Sequence, residues 1–266
     1  MGVEILSFGR FGGLVRALVW IGMVAGASWR AHGQWSVVRN EPMAGAAGLE
    51  VRRVGLRSGE ESAEVHVVRW NPRRHTLAVM DNPDGLLNLR SAAMKRGALA
   101  AVNGGYFHPD RTPLGLVVWK GAEVHPLEKA RLLSGLVVVR QGRVALQRTG
   151  EFKGVVGVSD ALQAGPFLVD AGKAVVGLEG TREAVRTVVF LDRDGVCGLA
   201  MCRRATLAET AQILLVPGMV GEAAVVRALN LDGGTSSGLW VGGEPGLYYP
   251  EVKGVRNYIA VVPLVR

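Results

Sequence analysis

From Leu49 onward the chain alternates short β-branched apolar runs with Gly, Asn and Asp punctuation, the pattern of strands joined by turns. Val65 to Trp70 and Thr76 to Met80 read as a hairpin joined through Asn71-Pro72. Leu89 to Arg96 reads as a short helix feeding the apolar run Ala98 to Val102. Two further hairpins follow: Leu114 to Trp119 turns at Lys120-Gly121, and Leu136 to Val139 turns at Gln141-Gly142 into Val144 to Gln147. In the second half, Val185 to Leu191 and Val196 to Met201 face each other across Asp192-Arg193-Asp194-Gly195. Thr206 and Glu209 form a capping box, and the helix it starts stops before Pro217-Gly218. Val225 to Leu231 is a buried strand leading into Asp232-Gly233-Gly234, and Tyr258 to Val262 is the final strand. No linker, repeat or low-complexity stretch divides this part. The expected fold is α+β: a single domain over residues 34–266 with a large mixed β-sheet, several hairpins and a few packed helices.

The first 33 residues follow other rules. Arg10 and Arg16 accompany an apolar run from Leu14 to Ala27, whose core, Ala17 to Ala27, is shorter than the roughly 20 residues of a membrane span. Ala25-Gly26-Ala27 and Ala31-His32-Gly33 both suit cleavage, so residues 1–33 read as a signal peptide in preference to an N-terminal anchor. Either places the domain outside the cytoplasm, secreted or periplasmic. Any membrane attachment would run through this segment alone.

Composition narrows the partners. The net charge is +8, and losing Arg10, Arg16, Arg30 and Glu4 with a cleaved segment leaves about +6. That balance suits an anionic partner. A nucleic acid is disfavoured, because Lys and Arg are scattered, with no basic stretch interleaved with aromatics and no zinc-finger or helix-turn-helix spacing. A phosphorylated glycan fits an exported protein better. Cys197 and Cys202 would lie about 16 Å apart along one strand and on opposite faces, too far for a disulfide, and read as buried free thiols.

Chemistry is expected where polar residues crown the end of an apolar strand. Ala100-Ala101-Val102 runs into Asn103-Gly104-Gly105-Tyr106-Phe107, and Ala228-Leu229-Asn230-Leu231 runs into Asp232-Gly233-Gly234-Thr235-Ser236-Ser237. Paired glycines admit close approach to main-chain amides, Asn103 both donates and accepts, and the second loop adds a carboxylate and three hydroxyls. Asn-Gly-Gly by itself is more often a turn than a site and Asp-Gly-Gly can be a hairpin connection, but an apolar strand running straight into Asp232 aims its carboxylate beyond the sheet edge. The second is no phosphate-binding P-loop, since no Lys follows its glycines, and no esterase elbow, since Gly-x-Ser-x-Gly is missing.

Asn103-Gly104-Gly105-Tyr106-Phe107, Ala164-Gly165-Pro166-Phe167-Leu168-Val169, Arg186-Thr187, the Thr206 helix, Leu231-Asp232-Gly233-Gly234 with Ser236-Ser237, and Arg256 occur in an order that resembles the phosphodiester glycosidase family. The similarity runs from about Val65 to the C-terminus, with Thr235 standing where the family usually has a third glycine. The resemblance implies hydrolysis of the bond between a sugar's anomeric carbon and a phosphodiester oxygen. It makes Asp232 the nucleophile or general base, with Arg186 and Asn103 beside it in catalysis. Gly104, Gly105, Tyr106, Phe107, Gly165, Gly233, Gly234, Ser236, Ser237 and Arg256 become substrate contacts, the guanidinium groups suiting phosphate oxygens. Asp192, Glu64 and Glu209 are open as a second carboxylate, and His108 as a proton shuttle.

Two other readings compete. One is a non-catalytic exported polysaccharide-binding protein of the same fold. The other is a metal-dependent phosphodiesterase, disfavoured because His32, His66, His75, His108 and His125 show no paired-ligand spacing. No cofactor is expected, although Asp232 or Asp192 leaves room for a structural calcium.

Overall fold

The computed structural model describes residues 34–264; the expected signal peptide or anchor lies outside them. Three strands open the fold as a meander: β1 (Ser36–Met43), β2 (Leu49–Ser58) and β3 (Glu61–Trp70). Then come β4 (His75–Asp81), helix α1 (Leu89–Arg96) and β5 (Ala100–Asn103). The hairpins β6 (Val117–Trp119) with β7 (Ala122–His125) and β8 (Gly135–Arg140) with β9 (Arg143–Arg148) form as the turn chemistry predicts. After β10 (Val158–Ala164), β11 (Phe167–Asp170) and β12 (Lys173–Ala174) comes the predicted pair β13 (Ala184–Asp192) and β14 (Cys197–Ala205). Helix α2 (Leu207–Leu214), β15 (Val225–Asn230), β16 (Leu239–Val241), β17 (Leu247–Tyr249) and β18 (Asn257–Pro263) complete it.

Instead of one mixed sheet, these strands build three sheets with antiparallel pairing throughout. Eight strands run β1-β2-β3-β14-β13-β15-β11-β12, five run β7-β6-β10-β8-β9, and five run β17-β16-β5-β18-β4. A mixed sheet needs parallel pairs, and every strand pair among the described residues is antiparallel. The expected hairpin through Asn71-Pro72 is also corrected. The turn exists, with the Arg74 and His75 amides donating to the Asn71 carbonyl, but β3 stays in the large sheet while β4 pairs only with β18 in a small one. The α-helices number two among the described residues, each of eight residues.

The large sheet is buried on both faces, which is why its strands read as continuous apolar runs. Val68, Trp70, Val189, Leu199 and Cys197 face the core shared with the small sheets, whereas Val65, Val67, Val188, Phe190 and Cys202 pack toward Ile213 and Leu214 of α2. The two cysteines therefore sit on opposite faces as free thiols, and burial pushes both up to about 12. Helix α1 starts where Asn88 accepts from the Ser91 amide and ends at left-handed Gly97; it seals the outer face of the sheet that carries β5.

One buried titratable group joins two sheets. His66 of β3 is fully buried, with Nε2 3.1 Å from the Tyr249 hydroxyl and Nδ1 unpartnered. Burial depresses its pKa below 6.5, Glu64 opposes the shift, and Arg53 and Arg203 add to it. A depressed native value makes the stabilising contribution complete above the unfolded pKa and lost as pH falls toward the native one. Urea midpoints should therefore drop between about pH 7.5 and about pH 5, and the drop should shrink in His66→Gln.

Candidate functional site

The end of β15 in the large sheet meets the end of β5 in a small one. Leu231 donates to the Thr187 carbonyl on β13 (2.8 Å), and one residue on, Asp232 donates to the Gly104 carbonyl (3.1 Å). The two loops singled out by sequence thus meet. Asn103, fully buried, fastens the junction: its Nδ2 donates to the Asp232 carbonyl (2.7 Å), and its Oδ1 accepts from the Thr187 hydroxyl (2.8 Å) and the Gly238 amide (3.2 Å). Its capacity is spent on holding three segments together, so it positions Asp232.

The glycines have specific reasons. A Cβ on Gly104 would lie 2.0 Å from Asn257 Oδ1, and one on Gly165 would lie 2.0 Å from the Leu132 carbonyl. Both amides of the first glycine pair are already occupied, Gly104 by the Asn257 carbonyl and Gly105 by its Oδ1, each at 2.9 Å. Gly104 lets β5 approach Asn257 and Gly105 lets it approach the Gln163 carbonyl of β10, 2.9 Å from where a Cβ would stand; the amides of this pair do not face a ligand. A Cβ on Gly233 would stand 3.0 Å from the Val185 carbonyl and 3.9 Å from Arg186 Nη1, which sets Asp232's neighbour against the guanidinium.

Asp232 is half-buried. Burial raises its carboxyl above the ordinary range, while the Ser236 hydroxyl, the Gly233 amide (2.8 Å to Oδ1) and the positive charge of Lys253 oppose the shift. Ser237 donates to the Val185 carbonyl (3.2 Å) and fixes the loop to β13. Arg186 is buried, with Nε on the Ala205 carbonyl (2.9 Å) and Nη2 on the Arg182 carbonyl (2.5 Å), and Glu179 lies 3.9 Å from Nη2. Among the described residues Nη1 has no hydrogen-bond partner, and this is the edge turned toward Gly233. Burial lowers its pKa, opposed by Glu179 and Tyr106.

Tyr106 closes the wall. Its hydroxyl donates to the Gly165 carbonyl (2.7 Å) and accepts from Asn230 Nδ2 (3.1 Å). Burial and the Asp232 charge push its pKa up, so it is a neutral phenol. Phe107 is half-buried, bridges to Pro113 and stands beneath two cations, Lys253 Nζ at 5.5 Å and Arg111 Cζ at 5.7 Å from the ring centroid. Thr235 is exposed, and its carbonyl accepts from the Val252 and Lys253 amides.

Other sequence candidates lie elsewhere or are engaged. Arg256 forms a buried ion pair with Asp81. Asp192 binds Arg69 (2.9 Å) and its own turn amides, Glu64 binds Arg53 (2.6 Å), and Glu209 completes the α2 capping box. His108 is an exposed turn residue. Asn230, Asn257 and Lys253 have no role assigned from sequence, and Thr187 enters there only as the second residue of the Arg186-Thr187 motif; Asn230 and Asn257 are polar residues at strand ends and Thr187 lies inside β13, signals that become specific only with their partners in view. Among the described residues no group of three or more His, Cys, Asp or Glu gathers to hold a metal ion. A groove of about 870 Å³ on the large sheet, floored by Leu56 and Ala63, shares Val185 with this neighbourhood but takes in none of Asn103, Tyr106, Arg186 or Asp232. Convergent polar groups, more than volume, mark the site.

An antiparallel β-protein with a half-buried carboxylate and an open guanidinium edge at a sheet junction has the parts of a hydrolytic centre for an anionic substrate. The family model for phosphodiester glycosidase matches residues 96–262, well over half of the chain and all of this site, and the chain belongs to that family. The match begins downstream of Val65, so β1 to β4 lie outside it. The catalytic domain of zebrafish N-acetylglucosamine-1-phosphodiester alpha-N-acetylglucosaminidase, auto-inhibited by its pro-peptide, is 15% identical with a TM-score of 0.63, over 86% of this chain and 88% of that one. A hypothetical protein from Synechocystis is 20% identical with a TM-score of 0.58 over 84% of this chain, which spans 63% of its length. A Burkholderia pseudomallei protein described as exported is 16% identical with a TM-score of 0.53, over 79% and 77%. At such identities the likeness is one of fold. No match is found among the curated proteins.

Proposed function

We propose that the protein is an exported hydrolase that cleaves the glycosidic bond of a sugar-1-phosphodiester, giving free sugar and a phosphomonoester. The observation that supports it most is the placement of Asp232 and the unbonded Nη1 edge of Arg186 at one junction, on the scaffold of a family defined by that chemistry. The anomeric C–O bond breaks with its electron pair passing to the phosphate oxygen, and water supplies the hydroxyl that ends on the sugar. Asp232 either takes the water's proton or forms the glycosyl ester that water then opens. A phosphate leaves readily once its charge is met, which is the task of Arg186. Neutral Tyr106 walls the same junction, and the Ser236 and Ser237 hydroxyls, on the Asp232 carboxyl and the Val185 carbonyl, hold the turn that presents Asp232 to the sugar. Export is supported by the apolar N-terminal run and by the likeness to a protein described as exported. Among the described residues no helix is long and apolar enough to cross a membrane.

Turnover of α-linked sugar-1-phosphodiesters in heavy-oxygen water tests this reading. Label in the released sugar is expected; label in the phosphate would mean P–O cleavage, and tight glycan binding without turnover would mean a binding protein.

A further inference from the structure

Asp232 and Arg186 account for the reacting carbon and one charge, yet a second cation at the rim has no structural task. Lys253 lies in the loop between β17 and β18. The Val252 and Lys253 amides both donate to the Thr235 carbonyl, at 2.9 and 3.0 Å, so the loop is pinned by its main chain to the turn that carries Asp232. The side chain is exposed and, among the described residues, forms no ion pair. Its Nζ stands 5.5 Å from the centroid of Phe107, next in sequence to the Tyr106 that walls the site. Arg111 approaches the same ring but is bound to the carbonyls of Asn82, Pro83 and Val255. One cation is thus a fixed support and the other is free for a ligand.

We propose that Lys253 is a specificity-determining residue of this site: held over the Phe107 face beside the Asp232 turn, it takes up the negative charge of the substrate's phosphate and aglycone as the C–O bond breaks. The proposal rests on the hydrolase reading above. A compact ammonium suits a group whose charge grows from one to two on cleavage, and an aromatic face restrains a flexible lysine at little cost in hydration. After the Ser236 hydroxyl and the Gly233 amide, the Lys253 charge also draws the Asp232 carboxyl downward, in keeping with its place beside that turn. An aromatic rest alone does not mark the role, since exposed Lys120 has one on Trp119 at 4.8 Å; what sets Lys253 apart is that its loop is bonded to the Asp232 turn.

Lys253→Gln keeps both main-chain bonds to Thr235 and removes only the charge. On a sugar-1-phosphodiester kcat/KM should fall about five- to tenfold, less at high salt, whereas on the 4-nitrophenyl glycoside of the same sugar it should hardly change. Lys253→Arg should restore most of the loss, and the acid limb of the kcat/KM profile should move to higher pH in Lys253→Gln, because the cation that lowers the Asp232 pKa is gone. Equal losses on both substrates, or none on either, would overturn the assignment. Inorganic phosphate affinity, measured by titration calorimetry, separates the two readings. Weaker phosphate binding by Lys253→Gln in a protein whose wild type shows no turnover would reject the hydrolase and keep the anion site. Unchanged phosphate affinity would reject the anion site whatever the turnover.

Discussion

Asp232→Asn should lower sugar release by about 10²–10⁴-fold while the melting temperature stays at or above that of the wild type. The two effects part because of where the carboxyl sits. It is half-buried at the junction of two sheets, and burial is the largest influence on it, raising its pKa despite the Ser236 hydroxyl, the Gly233 amide and Lys253. A raised native pKa means that the protonated form is favoured by folding, so that at neutral pH the ionised group opposes stability, an opposition relieved as pH falls through the native value. Asparagine has the same shape, can accept the Gly233 and Ser236 hydrogen bonds through its oxygen, and carries no charge to desolvate. The fold should therefore tolerate or welcome it, while a group unable to attack carbon or take a proton should stop the reaction. Circular dichroism melts beside product assays read both quantities. A variant that melts well below the wild type would show that the carboxylate holds the fold together, and retained turnover would show that the chemistry lies elsewhere. The same raised pKa predicts that activity falls on the acid side as Asp232 becomes protonated.

What sequence made legible was local. Helix α1 shows in the run Leu89 to Arg96, and α2 begins after Thr206 because Thr206 and Glu209 are three residues apart, signals held within a few residues of chain; the Asn88 cap of α1 is seen only in the structure. The hairpins at Lys120-Gly121, Gln141-Gly142 and Asp192-Gly195 are equally local. Sheet membership is not. Asn71-Pro72 makes the same turn whether the next strand folds back on β3 or crosses to pair with β18, and only the register His75 to Pro263 decides between them. Strand β1, Ser-Val-Val-Arg-Asn-Glu-Pro-Met, lies at the edge of the sheet with little of it buried, so it has no apolar period to find. The site shows the same division. The order of motifs located Asn103, Arg186 and Asp232, but the meaning of the glycines depended on Asn257, about 150 residues downstream, and the partner of Arg256 proved to be Asp81, 175 residues upstream. Lys253, an exposed residue in a loop, belongs to no pattern at all.

Asn103→Ala should do the opposite of Asp232→Asn by damaging the fold and the reaction together. The side chain is fully buried and ties β5, β13 and the Asp232–Gly238 loop through the Asp232 carbonyl, the Thr187 hydroxyl and the Gly238 amide. Truncation leaves three buried polar groups without that partner, each worth about 1–3 kcal/mol if unsatisfied. Water entering the space left behind offsets part of this, so a net loss of about 3–5 kcal/mol is expected from chemical denaturation, a large fraction of the 5–15 kcal/mol typical of a domain. Thr187→Val is the control. It removes one donor and leaves Asn103 Oδ1 with the Gly238 amide, so it should cost only about 1 kcal/mol. In both variants kcat should fall in step with the loosening of Asp232, measured at a temperature where each is folded. If Asn103→Ala keeps its stability and loses only activity, the amide does not serve as a tie and instead touches substrate directly. If stability falls as expected and kcat holds in the folded fraction, the Asp232 turn keeps its place without this anchor, and its hold comes from the Gly104 carbonyl and the Ser237 contact to Val185.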